Sequence, residues 1–219
     1  MRLRAWIPFA LLVVLAVLAV VVLSGRGVGG ATKANATVGY GPYLTASVIP
    51  QALANAPAPS FDLDDARGGM VSTIGSLRGK PYAITFLYVH CLTVCPLIGS
   101  EIHSALATLG AKAAGMNVVA ISVDPTGDTR TDVLQWLADH QEPSNFHYLI
   151  GSAAQLGPVW KAYHVAPQIA DDPDSTHTAL IWLVSRQGRL QALIDAGVAL
   201  NTNDLAHDFG VLMKQARDP

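Results

Sequence analysis

The sequence YAITFLYVHCLTVCP, residues 82–96, decides the fold of this 219-residue chain. Its first part, Tyr82 to Val89, is a short apolar run rich in aromatic and β-branched residues, which predicts a buried strand. Apolar side chains then recur at helical spacing from Pro96 to Gly115, and the run from Met116 to Val123 predicts a second buried strand. These elements form a βαβ unit, so the cysteines lie where its first strand turns into its helix.

Further elements follow this unit along the chain. Helices are predicted at Thr131 to His140, Ala153 to Tyr163 and Asn203 to Arg217, a short strand at His147 to Ile150, and a β-hairpin at Thr178 to Ser185 and Leu190 to Ala196. The order of elements predicts an α/β protein with a thioredoxin-like fold, with extra segments near Phe61 and at Thr73 to Leu77.

The N-terminal region is unusually apolar. From Ala5 to Leu23 the chain carries no charge, and a helix of that length nearly spans a hydrocarbon core of about 30 Å. We therefore expect a single transmembrane anchor at residues 1–24, with a cleaved signal peptide as the alternative. Arg2 and Arg4 precede the segment and only Arg26 follows it closely, which predicts that the N-terminus lies in the cytoplasm.

The rest of the chain divides into two parts. Residues 25–59 are rich in Gly, Ala, Thr and Pro and predict a flexible linker, whereas residues 60–219 are long enough for one domain with its own core. After position 26 there are 11 basic and 16 acidic residues, a net charge of −5, which argues against a nucleic acid partner.

Cys91 and Cys95 are the only cysteines in the chain, and three interpretations of them compete. A structural disulfide across so short a loop would stabilise the fold little. A thioredoxin-like redox pair normally has two intervening residues, whereas three are present here. In a helix, positions i and i+4 share one face, so both sulfurs can converge on one ion, and the wider spacing favours a metal.

A metal site needs at least a third ligand. Of the seven histidines, His177 stands out because it lies at the start of a predicted strand after the polar loop DDPDS, where loops deliver functional side chains. A histidine in a loop is, by itself, more often a surface residue than a ligand.

Three motifs in the same order resemble those of the Sco/SenC family of membrane-tethered, thioredoxin-fold copper chaperones for cytochrome oxidase assembly. YVHCLTVCP resembles its Tyr-Thr-His-Cys-x-x-x-Cys-Pro signature; ISVDPTGDT, residues 121–129, resembles its Ser-x-Asp-Pro-x-x-Asp-Thr segment; and DSTHTALIWLVSRQGRL, residues 174–190, resembles its His-strand-turn segment. The resemblance covers about residues 60–217. It implies that Cys91, Cys95 and His177 are copper ligands, and that Asp124 is a candidate accessory ligand.

The resemblance also implies a function: copper, as Cu(I) or Cu(II), would be bound outside the cytoplasmic membrane and delivered to the copper-binding subunit of cytochrome oxidase. Other periplasmic copper chaperones and thioredoxin-like reductases are further candidate partners. Two thiolates with one imidazole suit Cu(I), whereas zinc generally requires a fourth ligand. Asp128 is expected to be the N-cap of the helix at Thr131 to His140.

Two other functions remain open. The chain could be a thiol-disulfide reductase that keeps the cysteines of the oxidase reduced, using Cys91 and Cys95 as a redox-active pair, or a peroxidase of the same fold. The family's usual Thr is replaced by Val89, and its usual Pro-Asp between the cysteines by Leu92-Thr93. These differences leave the ligands in place but affect the expected redox potential and choice of partner.

Overall fold

The computed structural model describes residues 43, 49–50, 52–168, 178–197 and 200–215. Within them the elements are β1 (Asp62–Asp65), β2 (Met70–Ser72), β3 (Tyr82–Leu87), α1 (Val94–Leu109), β4 (Asn117–Ser122), α2 (Arg130–Asp139), β5 (Phe146–Ile150), α3 (Ala153–Ala162), β6 (Leu180–Val184), β7 (Leu190–Asp195) and α4 (Thr202–Lys214).

These strands form one mixed sheet in the order β2-β1-β5-β4-β3-β6-β7. Strands β3, β4 and β5 are parallel, while β1, β2, β6 and β7 each pair antiparallel with their neighbours. The βαβ unit predicted around the cysteines is therefore confirmed, with β3, α1 and β4 as its members. The described residues have a mixed α/β architecture with helices on the sheet.

Strand β3 is buried along its whole length because both faces of the sheet are covered. Ala83 and Leu87 belong to a core that includes α1 and α4 residues such as Ile102 and Phe209. Tyr82, Ile84 and Phe86 belong to a second core that includes α3 and the β1–β2 hairpin. The continuous apolar run in the sequence thus reflects burial from two sides rather than one.

The end of the first predicted helix differs from the structure, and the predicted extra segments can be assigned. The helix predicted to reach Gly115 ends at Leu109, because Gly110 has a φ of 55°, and a 3₁₀ segment continues from Gly110 to Gly115. The extra segments near Phe61 and Thr73 correspond to the β1–β2 hairpin and the turn that follows it.

The described end of the predicted linker is attached to the domain. The Asn55 N–H donates to the Leu190 carbonyl at 2.9 Å, and the Ala58 N–H donates to the Gly188 carbonyl at 2.8 Å. Edge strand β7 offers these backbone partners, so residues 52–59 are not free of the domain. The predicted anchor at residues 1–24 lies outside the described residues, and among those described no helix is long and apolar enough to cross a membrane.

Candidate metal centre

The two cysteines lie at the edge of the sheet where the parallel strands end. Strand β3 ends at Leu87, a short loop carries Cys91, and α1 begins at Val94, so Cys95 is the second residue of the helix. Neither cysteine forms a disulfide, and both are buried, with exposed fractions of 4% for Cys91 and 0% for Cys95. The helix prediction placed both cysteines on one helical face; this is wrong for Cys91, which precedes the helix.

The cysteines nevertheless meet, because the Cys91 sulfur caps the helix. The Cys95 backbone N–H donates to Cys91 Sγ at 3.3 Å. The N-cap residue Thr93 makes no side-chain capping bond, and its hydroxyl lies 3.8 Å from the same sulfur. A sulfur in this position lies at the positive end of the helix dipole, where negative charge is favoured. The arrangement holds the Cys91 side chain beside that of Cys95.

The environment of the Cys95 thiol favours its protonated form. A hydrogen bond with Cys91, followed by burial, raises the pKa of the Cys95 thiol well above its ordinary range. Cys95 therefore keeps its proton at neutral pH in the metal-free protein. Binding of a soft metal ion by both sulfurs would require the release of that proton.

Tyr88, the first residue after β3, is hydrogen-bonded to the Cys91 sulfur. Burial, together with the charge of Cys91 and a hydrogen bond to it, raises the pKa of the Tyr88 hydroxyl to about 12. The hydroxyl consequently stays protonated and can donate to Cys91 Sγ. Sequence reasoning did not identify Tyr88 as part of the site, although it lies in the motif YVHC, where the first residue after a buried strand points at the sheet edge.

Asp128 has a different role from the predicted one. The N-cap of α2 is Thr129, whose hydroxyl accepts from the Asp132 N–H at 3.2 Å. Asp128 is instead buried, and its carboxylate accepts hydrogen bonds from the Val89 backbone N–H at 2.8 Å and the Tyr148 hydroxyl at 3.1 Å. Burial raises the pKa of Asp128 to about 6. The helix-cap prediction was wrong because contacts with distant residues compete with local capping.

Asp124, the candidate accessory ligand, accepts hydrogen bonds from residues of its own turn. Its Oδ1 accepts from the N–H of Thr126 at 3.2 Å, from its hydroxyl at 2.9 Å and from the Gly127 N–H at 2.9 Å. A Cβ at position 127 would clash with Asp124 Oδ2, so glycine allows this close turn. The role of Asp124 as a metal ligand stays a prediction.

His177 lies outside the described residues, but the chain on both sides of it can be placed. The Gln168 N–H donates to the Val123 carbonyl at 3.0 Å, directly before Asp124. Thr178 and Ala166 share two hydrogen bonds, of 3.4 and 3.1 Å. Strand β6 pairs antiparallel with β3, with Ile181 opposite Thr85, so the start of β6 lies at the cysteine edge. Within the described part of the chain, no three His, Cys, Asp or Glu side chains are grouped as a metal site.

The surface beside the cysteines is apolar. Leu92, between the two cysteines, is 92% exposed, and Leu97, on the first turns of α1, is 64% exposed. Leu97 also lines a groove with Val94 and with Ala196 and Leu200 from the β7–α4 connection. Any protein that reaches the buried sulfurs has to contact this surface.

Comparisons with known proteins identify the family to which the domain is similar. The SCO1/SenC family model matches residues 50–213. The copper-bound structure of Bradyrhizobium japonicum ScoI is 32% identical, covering 72% of this chain and 99% of its own, with a TM-score of 0.61. No curated protein matches the chain.

Two more distant structures show the same fold. A SCO1/SenC family lipoprotein from Bacillus anthracis str. Ames is 20% identical, covering 73% of this chain and 96% of its own, with a TM-score of 0.65. BsSco, described as a member of the Sco family of cytochrome c oxidase assembly proteins with a disulfide switch, is 19% identical, covering 74% and 96%, with a TM-score of 0.64.

Proposed function

The chain belongs to the SCO1/SenC family, and from this premise we propose that it binds copper through Cys91, Cys95 and His177 and delivers it to a copper-binding subunit of cytochrome oxidase. The observation that carries the proposal is the pair of adjacent cysteines, not joined by a disulfide, at the start of α1, in a chain 32% identical to a copper-bound protein. Soft sulfur donors fit Cu(I), and an imidazole completes a small set of ligands from which the cargo can leave.

Burial of the sulfurs supports binding of a reactive cargo. Because Cys91 is 4% exposed and Cys95 is fully buried, bulk water and oxidants reach them poorly. Tyr88 and the α1 backbone supply hydrogen bonds that stabilise negative charge on Cys91, so the pair is prepared for a cation. Release requires a partner to approach over Leu92 and Leu97, which makes transfer depend on contact rather than on free diffusion of copper.

The proposed location is the outer face of the cytoplasmic membrane. The uncharged segment from Ala5 to Leu23 would anchor the chain with a single span, and the domain would lie on the periplasmic side. Protease added to spheroplasts is expected to remove the domain while leaving the membrane-bound N-terminus. A domain that stays protected until the membrane is broken would contradict this orientation.

Copper titration of the reduced full chain in detergent tests the ligand set. Wild type is expected to bind one Cu(I) tightly, whereas Cys91→Ala, Cys95→Ala and His177→Ala each lose affinity by at least about tenfold. His164→Asn is the matched control, since it removes an exposed imidazole and asparagine tolerates the positive φ of 56° at that position. Unchanged copper affinity in His177→Ala would refute the ligand set.

The alternative function is a thiol-disulfide reductase for the cysteines of the oxidase. It is favoured by the contact between the Cys91 sulfur and the Cys95 amide, which holds the two thiols close together. In that reaction Cys91 and Cys95 would lose two electrons and two protons to form a disulfide, and the partner's disulfide would become two thiols. His177→Ala separates the two functions, because a reductase would keep its exchange rate while a chaperone would lose copper.

A further inference from the structure

The lysines and arginines of the described residues are concentrated at one edge of the sheet. Six of the nine lie opposite the cysteines beside the β4, β3, β6 and β7 strands: Arg78, Lys80, Lys112, Arg186, Arg189 and Lys214. We call this group the basic edge. The cysteine edge, in contrast, carries carboxylates at Asp124, Asp128, Asp195 and Asp204. Asp139 and the buried Glu142 precede β5 at the far side of the end that carries the basic edge, so the excess of cations is confined to the side formed by β4, β3, β6 and β7.

Hydrogen bonds hold the segments of the basic edge together. Arg78 and Lys80 directly precede β3, and Arg186 donates to the Gly79 carbonyl at 3.5 Å and to the Met213 carbonyl, next to Lys214, at 3.1 Å. Lys112 precedes β4, whose first residue Asn117 is bonded through its N–H to the Pro81 carbonyl at 3.3 Å. The positive charges thus come from four separate segments that the fold brings to one surface.

The cations of the basic edge form no ion pairs with carboxylates of the described residues. The ion pairs of the described residues all involve histidine, so none of the six cations has a carboxylate within 4.0 Å among them. Five of the six are exposed, and Arg186 is half-buried. Arg186 and Arg189 donate to backbone carbonyls, which leaves their charge without a carboxylate partner among the described residues. The other three cations are Arg67 and Arg130, which also donate to backbone carbonyls, and Lys161 on α3. The basic edge consequently presents free positive charge to whatever faces it.

Two described residues that precede β1, Tyr43 and Asn55, are hydrogen-bonded at this same edge. The Gln215 side chain donates to the Tyr43 hydroxyl at 2.7 Å, directly after Lys214. Farther along, Arg189 donates to the Asn55 carbonyl at 3.4 Å. An isoleucine, Ile74, is 78% exposed at this edge and lines a concavity with Arg78 and Arg186.

We propose that the basic edge docks on anionic phospholipids of the membrane, with Ile74 entering the headgroup region and the cysteines facing away from the bilayer. The inference rests on the membrane anchoring proposed above, because the anchor keeps the domain close to the surface. Each cation near an anionic bilayer increases the docked population several-fold, and the attraction decays within a Debye length of about 8 Å. An exposed isoleucine among cations favours a lipid interface over an acidic protein surface.

Docking in this orientation would serve the proposed delivery. The sulfurs lie at the end of the domain farthest from the basic edge, so a membrane-bound recipient would meet an accessible site instead of one pressed against lipid. The orientation also limits the positions that the cysteine edge can sample, which lowers the entropic cost of meeting a partner in the same membrane.

Amide hydrogen exchange of the full chain in lipid nanodiscs tests the proposal. Nanodiscs of phosphatidylcholine alone are compared with nanodiscs that also contain phosphatidylglycerol. Residues 74–80 and 185–190 are expected to exchange at least about fivefold more slowly in the anionic discs, and high salt should abolish the difference. Residues 90–97, at the cysteine edge, should show no such difference.

Charge reversal provides the matched comparison. The triple variant Arg78→Glu, Lys80→Glu, Arg189→Glu should lose the protection, and Lys161→Glu should keep it; circular dichroism verifies that both are folded. Equal exchange in the two kinds of disc overturns the proposal, as does protection that appears only when an oxidase subunit is added. Copper titration in the same discs separates this failure from a failure of the proposed function, since docking does not involve the thiols.

Discussion

The carboxylate of Asp128 accepts the backbone N–H of Val89 at 2.8 Å, joining the loop after β4 to the loop after β3. Val89 lies two residues before Cys91, so this bond fixes the start of the cysteine loop from a strand 39 residues away in sequence. The Tyr148 hydroxyl holds the other carboxylate oxygen from β5. Three adjacent strands therefore cooperate to position one sulfur.

Removal of this carboxylate is expected to loosen the cysteine loop. Asp128→Ala leaves the partly buried Val89 N–H and the buried Tyr148 hydroxyl without their partner, which should lower the free energy of unfolding by about 2 kcal/mol. Because the loop carries Cys91, copper affinity should fall by about tenfold. Denaturant unfolding and copper titration measure the two effects. Asp132→Ala, in the exposed first turn of α2, is the control and should leave copper affinity unchanged.

The Tyr88 hydroxyl is expected to make Cys91 more reactive. Its hydrogen bond stabilises a thiolate at Cys91, so Tyr88→Phe should slow alkylation of Cys91 by iodoacetamide at pH 7 by about threefold to tenfold. Mass spectrometry of the cysteine peptide measures the rate. Tyr82→Phe, which removes a hydroxyl from the other end of the same strand, should react like wild type. Faster alkylation in Tyr88→Phe would show that the hydroxyl shields the sulfur instead.

Glu142 is expected to make the fold less stable at alkaline pH. Burial raises the pKa of its carboxyl from about 4.5 to about 8, although the Arg67 guanidinium opposes the shift. Neither carboxylate oxygen has a hydrogen-bond partner among the described residues. Below about pH 4.5 the group is protonated in both the folded and unfolded states, and as the pH rises through about 8 the folded state increasingly has to bear a buried charge. Stability should therefore fall across that range.

Glu142→Gln tests this pH dependence. The variant should gain about 2 kcal/mol of unfolding free energy relative to wild type at pH 9 and little at pH 5, as measured by denaturant unfolding. Asp139→Asn, an exposed carboxylate at the end of α2, is the control and should follow wild type at both values. An equal effect of Glu142→Gln at pH 5 and pH 9 would mean that ionisation is not the cause.

The apolar surface beside the cysteines is expected to govern transfer rather than binding. Leu97→Ser should leave copper affinity unchanged, because Leu97 is 64% exposed whereas both cysteines are buried, but should slow transfer to the recipient subunit by about tenfold. Stopped-flow measurement of transfer tests this. Leu134→Ser, an exposed leucine on α2, is the matched control. Equal transfer rates in wild type and Leu97→Ser would exclude this face as the contact.

The amino-acid sequence by itself determined the local elements and their order. Apolar periodicity from Tyr82 to Val123 is enough to predict β3, α1 and β4, since the spacing of buried side chains follows directly from strand and helix geometry. Three motifs in order, around Cys91 and Cys95, at residues 121–129 and at residues 174–190, were sufficient to indicate the family, which the match to residues 50–213 shows.

Only the tertiary structure decided what surrounds these elements. It placed Cys91 ahead of α1, where its sulfur accepts the Cys95 backbone N–H. The Asp128 carboxylate accepts the Val89 N–H and does not cap α2, and six cations lie at the edge opposite the sulfurs. Each of these depends on residues far apart in the chain. The periodicity of apolar residues indicates which side of a segment is buried. It does not indicate which distant polar group forms a hydrogen bond with that segment, because several partners that folding brings close together compete for each bond.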